Sequence, residues 1–186
     1  MTKIKPEWLT VFFTAIIAVT GVWALVYAEG QIRQARDEAQ IQRLLTLENE
    51  YKTQPMVRYR SICAQMRLHG IDEPDEEIEL LNFFETVALL ANRGYLKDTD
   101  VWETFSPDIF SLYADDQEEI ELDRKEDPND YANLALLIPR LEAIEESRHG
   151  TTANPSKEDL HRYWESESKI DVGAPIAQHR RASPKY

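Results

Sequence analysis

Apolar and polar positions divide the chain into one long uncharged run and a series of helical stripes. From Trp8 to Ala28 the run WLTVFFTAIIAVTGVWALVYA carries no charge, and its length matches the roughly 20 residues that take a helix across about 30 Å of hydrocarbon. This predicts a membrane span at 8–28, behind a short tail of residues 1–7. Trp8 at one end, and Trp23 with Tyr27 near the other, fit the interfacial preference of amphipathic rings. A cleaved signal peptide is the competing reading, with Lys3 and Lys5 as its basic start and Val26 with Ala28 at the cleavage positions. The apolar part of such a leader is usually only about 7 to 15 residues long, which favours a retained span. One face carries Thr10, Thr14, Gly21, Ala24 and Ala28, small residues at the spacing that lets membrane helices approach closely.

Beyond the span, residues 29–52 contain strong helix formers and neither proline nor glycine after Gly30, so the helix is expected to continue as a juxtamembrane segment. Thr53-Gln54-Pro55 reads as a capped start for a second helix ending at Gly70, with Val57, Ile62, Cys63 and Met66 inward and Arg58, Arg60 and Arg67 on a basic rim. A third helix opens at Pro74 and Asp75 and stops at Gly94. Glu76, Glu77 and Glu79 place negative charge in its first turns, where the helix dipole favours it. Leu80, Leu81, Phe83, Phe84, Val87, Ala88, Leu90 and Ala91 cover more than half its circumference, the pattern of a helix at the centre of a bundle.

A short segment from Asp98 to Phe105 follows. Ser106-Pro107-Asp108 then signals a new helix running to about Arg124, and Asp127-Pro128 opens the run YANLALLIPRLEAIEES. Pro139 is expected to kink or split that last helix. After Gly150 the chain turns polar, with one short helix around Leu160 to Trp164 and a disordered end from Gly173 to Tyr186. Strand-like alternation is absent from the sequence. The predicted fold is all-α: an N-terminal transmembrane helix, an acidic antiparallel bundle of four to five helices over 53–148, and a largely flexible polar tail over 149–186.

Charge sharpens this organisation. The chain of 186 residues has 34 acids against 21 bases and a net charge of -13. Residues 71–147 alone hold five bases and 23 acids, a net of -18. Such a surface repels nucleic acid, anionic lipid headgroups and anionic ligands. Asp115, Asp116, Glu118, Glu119, Glu121 and Asp123 form its densest cluster. It lacks the glycine and alternating ligands of a calcium loop, and reads as a solvated face or a docking surface for a basic protein. No glycine-rich phosphate loop is present, so no nucleotide is expected. Arg33, Arg36 and Arg43 behind the span against Lys3 and Lys5 before it, together with the unpaired Cys63, favour a cytoplasmic C-terminal domain.

Candidate chemistry is sparse. Glu146 with His149 and Glu158 with His161 repeat the Glu-x-x-His pair that helical bundles use for two iron or manganese ions. They lie about 12 residues apart, not on separate core helices, so no metal or other cofactor is expected. Glu85 and Asn82 are polar residues on the apolar third helix. They read as a narrow polar edge, or, for Glu85, as a partner of an arginine such as Arg60. Cys63 reads as a small core residue, and Arg180-Arg181-Ala182-Ser183 as a basic stretch able to lie on an acidic surface.

The run from QIRQAR, through Asn82 and Glu85 in LNFFETVALL, to the turn GYLKDTD at 94–100 and the helix from Phe105 to Arg124 resembles a widespread bacterial family of uncharacterised single-span proteins. The likeness covers roughly residues 10–147. It implies one membrane helix joined to a helical domain in the bacterial inner membrane, and no catalytic residue. The expected function is binding: an accessory or scaffolding subunit of a membrane complex, with the bilayer, other membrane subunits or a second copy as partners. The alternatives are a self-associating single-pass regulator or sensor and a metal-dependent bundle enzyme.

Overall fold

The computed structural model describes the backbone of residues 6–70, 75–150 and 154–170, with side chains over 19–70, 76–150 and 154–170. The described residues form seven helices and no strand: α1 (Pro6–Tyr51), α2 (Met56–Leu68), α3 (Asp75–Asn92), α4 (Asp98–Asp115), α5 (Gln117–Glu126), α6 (Ala132–His149) and α7 (Lys157–Ser168). The chain divides into two units, Met1–Gln42 and Arg43–Tyr186. Pro74, Thr151, Thr152 and the tail from Gly173, including Arg180 to Ser183, lie outside the described residues.

The first unit is the N-terminal part of α1. No proline or glycine interrupts the helix between Pro6 and Gly21, and Gly21 and Gly30 are both carried within it. Among the described residues no helix is long and apolar enough to cross a membrane. Residues 8–18 of the span read from the sequence lie outside the described side chains.

The second unit is a helical bundle built round α3. Leu80, Phe84, Val87 and Ala91 recur at helical spacing and are all buried, and Phe83 and Ala88 widen the stripe. With apolar side chains on so much of its surface, α3 packs against α2, α4 and α6. Each large apolar side chain so buried contributes about 1.5–3 kcal/mol. Tyr51, at the end of α1, stacks on Phe83 at 5.3 Å and meets Phe105 of α4 edge-on at 5.7 Å. The predicted stop at Gly94 is observed. Its φ of 71° lets Gly94 N–H donate to Ala91 O at 2.9 Å and Tyr95 N–H to Leu90 O at 2.9 Å, closing the helix end.

Several predicted boundaries are corrected. Thr53 does not cap the second helix; its hydroxyl donates to Asn49 O at 2.8 Å and closes the end of α1. Ser106-Pro107 does not begin a helix, because α4 runs straight through it and breaks only at Asp116. Pro107 is exposed, as is Glu103, whose carbonyl loses its helical partner there, so the missing bond lies on the solvent side of the helix. Pro139 likewise sits on the exposed side of an unbroken α6. Asp127 forms a local turn with Asn129, accepting its N–H at 2.9 Å, and α6 starts only at Ala132. The short helix expected around Leu160 to Trp164 is present but longer, as α7, and it packs along α2. Its capping box is complete: Ser156 Oγ accepts from Asp159 N–H at 3.2 Å, and the Asp159 carboxylate accepts from Ser156 N–H at 3.1 Å.

Candidate interaction site

The acidic cluster separates into an inward and an outward part. Glu118 and Glu121 on α5 are exposed, while Glu119 and Asp123 are half-buried. Asp115 and Asp116, at the end of α4, turn toward Arg67 of α2 instead. Arg67 Nε lies 3.3 Å from Asp115 Oδ2, and its Nη2 contacts both Glu77 Oε2, at 2.7 Å, and Asp116 Oδ1. Trp164 of α7 donates its indole N–H to Asp115 Oδ2 at 3.0 Å. One guanidinium thus faces three carboxylates in a place where Asp116 is only 2% exposed. Burial raises both Glu77 and Asp116 above the usual carboxylate range, and Arg67 opposes that rise in each.

Seven residues earlier on α2, Arg60 organises a second buried cluster. Its Nε and Nη2 donate to the two oxygens of Glu167 at 2.7 and 2.9 Å. The guanidinium also lies over the Tyr51 ring, 4.1 Å from its centroid. Tyr163 donates its hydroxyl to Asp108 at 2.9 Å, and Arg60 approaches that carboxylate at 4.0 Å. Arg60 and Arg67 are therefore not a basic rim. An arginine this far from water requires paired carboxylates, and α3, α4 and α7 supply them.

Glu85 does not pair with Arg60. It reaches the start of α6, where its carboxylate accepts from the backbone N–H groups of Asn133 and Leu134 at 3.0 and 2.8 Å, and from the Asn133 amide at 2.7 Å. It therefore caps from another helix the amides that Tyr131, the N-terminal boundary residue, leaves uncapped. Asn82 is exposed and its carbonyl accepts from the Thr86 hydroxyl at 3.0 Å, which places both on the polar edge. Cys63 is fully buried, and burial pushes its thiol far above the ordinary value. Its place is in the core, as read.

Neither Glu-x-x-His pair converges on a common point. His149 Nδ1 lies 2.7 Å from Glu145 Oε1, and its ring packs 5.5 Å from that of Trp102, while Glu146 is exposed. Glu158 and His161 are exposed on α7. Among the described residues no group of three or more His, Cys, Asp and Glu is arranged to hold a metal ion.

On α1, Gly21, Ala24 and Ala28 are exposed, and a Cβ added at Gly21 would meet nothing within 4 Å. Thr10 and Thr14 lie outside the described side chains. Val19, Val22, Trp23, Leu25, Val26 and Tyr27 are 61–73% exposed. They cover somewhat more than half of the helix circumference, and Gly21, Ala24 and Ala28 lie on the remaining side.

No family model, curated protein or solved structure matches the chain. Between α4 and α6 lies a cleft of about 310 Å³ whose walls include Phe110, Tyr113, Ile138, Pro139, Glu142 and Pro155. Its walls mix aromatic and aliphatic side chains with polar ones, Gln117, Glu142 and Asn154. The role of α7 escaped the sequence reading, although Ser156-x-x-Asp159 followed by Leu160, Tyr163 and Trp164 is a capped helix with one apolar stripe.

Proposed function

We propose that the chain is a single-pass membrane protein that acts by binding other proteins, as an accessory or scaffolding subunit of a bacterial inner-membrane complex. The observation that carries this reading is the broad exposed apolar face of α1 from Val19 to Tyr27. An exposed apolar face this broad needs lipid or another protein to cover it. The uncharged sequence from Trp8 to Ala28 supports lipid as that cover. In the second unit, Arg60 and Arg67 neutralise buried acids, whereas Glu118 and Glu121 remain on the surface. Those outward acids, with the half-buried Glu119, are the part of the acidic cluster that fits a basic protein; Asp115 and Asp116 act in holding the bundle. The domain is assigned to the cytoplasmic side.

The test is purification of the full chain from native membranes in mild detergent, with mass spectrometry of what accompanies it. A stoichiometric set of larger membrane subunits is expected. Recovery from the supernatant after alkaline washing overturns the anchor. Recovery from membranes alone, or only as its own oligomer, overturns the accessory role. That last outcome selects the self-associating regulator, which the open face at Gly21 favours.

A further inference from the structure

Asp116 stands at a joint. Its N–H donates to Leu112 O at 3.0 Å as the last bond of α4, and its carbonyl accepts from Ile120 N–H at 2.9 Å as the first of α5. An aspartate at a helix start ordinarily caps the first-turn amides, but this side chain makes no such bond. It turns inward, where Oδ1 contacts Arg67. Its other oxygen, Oδ2, is fully buried with no hydrogen-bond partner among the described groups.

Among the described groups named around it, one, Arg67, brings a positive charge. From α2 come Arg67 and the neutral Cys63; from α3, Glu77, with Glu76 beside Cys63; from α4, Asp115; and from the start of α6, Tyr131. Three ionised carboxylates on Arg67 would leave two negative charges uncompensated beside side chains as buried as Glu77 and Asp116. Burying unpaired charge is far more costly than retaining a proton. A proton on one of the two carboxyls removes one charge and lets that carboxyl donate to the other, along the side-chain hydrogen bond that links Glu77 and Asp116.

The geometry points to a buried proton-binding site: Asp116 and Glu77 share one proton at neutral pH, and losing it loosens the joint between α4 and α5. Burial, with the Glu77 charge next, pushes Asp116 up to about 9. The unfolded chain holds an ordinary aspartate, so folding takes up this proton. The stabilisation is complete below the ordinary aspartate range and is lost as pH rises through about 9.

The test is a carbon-13 titration of side-chain carboxyls in the full chain in detergent micelles. The expected result is one aspartate step near pH 9, missing in Asp116→Asn, with the backbone amide shifts of Gln117–Glu126 moving at the same pH. Glu77→Gln leaves Asp116 intact and should lower that step by about one unit or more, since the two groups titrate as a pair. An Asp116 carboxyl titrating near the ordinary value of about 4 overturns the site. A step unmoved by Glu77→Gln overturns the sharing, and α5 amides that ignore the step overturn the coupling to the joint.

Discussion

Arg60 and Glu167 lie 107 residues apart in sequence and meet in a two-pronged ion pair at 2.7 and 2.9 Å. Their side chains are 13% and 9% exposed, so water screens them little. Truncating one member of such a pair strands the other charge, which costs about 3–5 kcal/mol, whereas the pair as a whole is worth far less. Glu167→Ala is expected to destabilise the bundle by about 3 kcal/mol, and the double variant with Arg60→Met by less than the sum of the single changes. Urea unfolding followed by tryptophan fluorescence measures this. Additive losses would show that the two side chains act independently.

The cap that Glu85 supplies to α6 allows a sharper separation of charge from hydrogen bonding. Glu85→Gln keeps one carbonyl acceptor for the amides of Asn133 and Leu134; Glu85→Ala keeps none. The alanine variant is expected to lose about 2 kcal/mol and the glutamine variant about half as much, in line with charge-assisted bonds to a helix start. Hydrogen exchange should quicken first at the amides of Asn133 and Leu134. Equal losses in both variants, with no change at those amides, would contradict the cap.

Local pattern made α3 and its stop at Gly94 legible, because a helix with this much apolar surface has one stable place, in the centre. Arg60 and Arg67 were not legible. An arginine beside apolar neighbours reads as a rim residue by default, and the partners that bring these two inward come from α3, α4 and α7, between 10 and 107 residues away. Ser106-Pro107 misleads for the opposite reason. Its local signal is a true helix-start pattern, overridden by the burial of Phe105 and Ile109 on the same face of one continuous α4. The acidic cluster divided in the same way: charge density locates it, but only the position of Arg67 separates Asp115 and Asp116 from Glu118 and Glu121.

Alkali should reveal the Arg60 cluster through its phenols. Burial raises Tyr51 and Tyr163 well above the ordinary tyrosine value, and Asp108 beside both adds to the effect. A raised folded value means that the neutral phenol is favoured in the bundle, so this stabilisation is intact up to the ordinary tyrosine range and lost only above it. Absorbance at the phenolate band is expected to show at least two of the eight tyrosines ionising late, together with loss of helical circular dichroism. Ionisation of all eight in one ordinary step, with the helices intact, would contradict the burial of this pair.

Gly21 offers the cleanest separation between a contact within one chain and a contact between chains. An added Cβ there meets no described atom within 4 Å, and a helix interior holds isoleucine better than glycine. Between two close-packed membrane helices the outcome reverses, because a branched side chain at the crossing holds the backbones apart and removes the contacts that drive association. Gly21→Ile is therefore expected to reduce self-association at least tenfold in a membrane two-hybrid or energy-transfer assay, while circular dichroism and the urea midpoint stay unchanged. Glu118→Lys on α5 is the matched control, since it alters a surface far along the chain and should leave self-association as it was. Unaltered association in Gly21→Ile would assign this face of α1 to lipid and leave partner binding to the second unit.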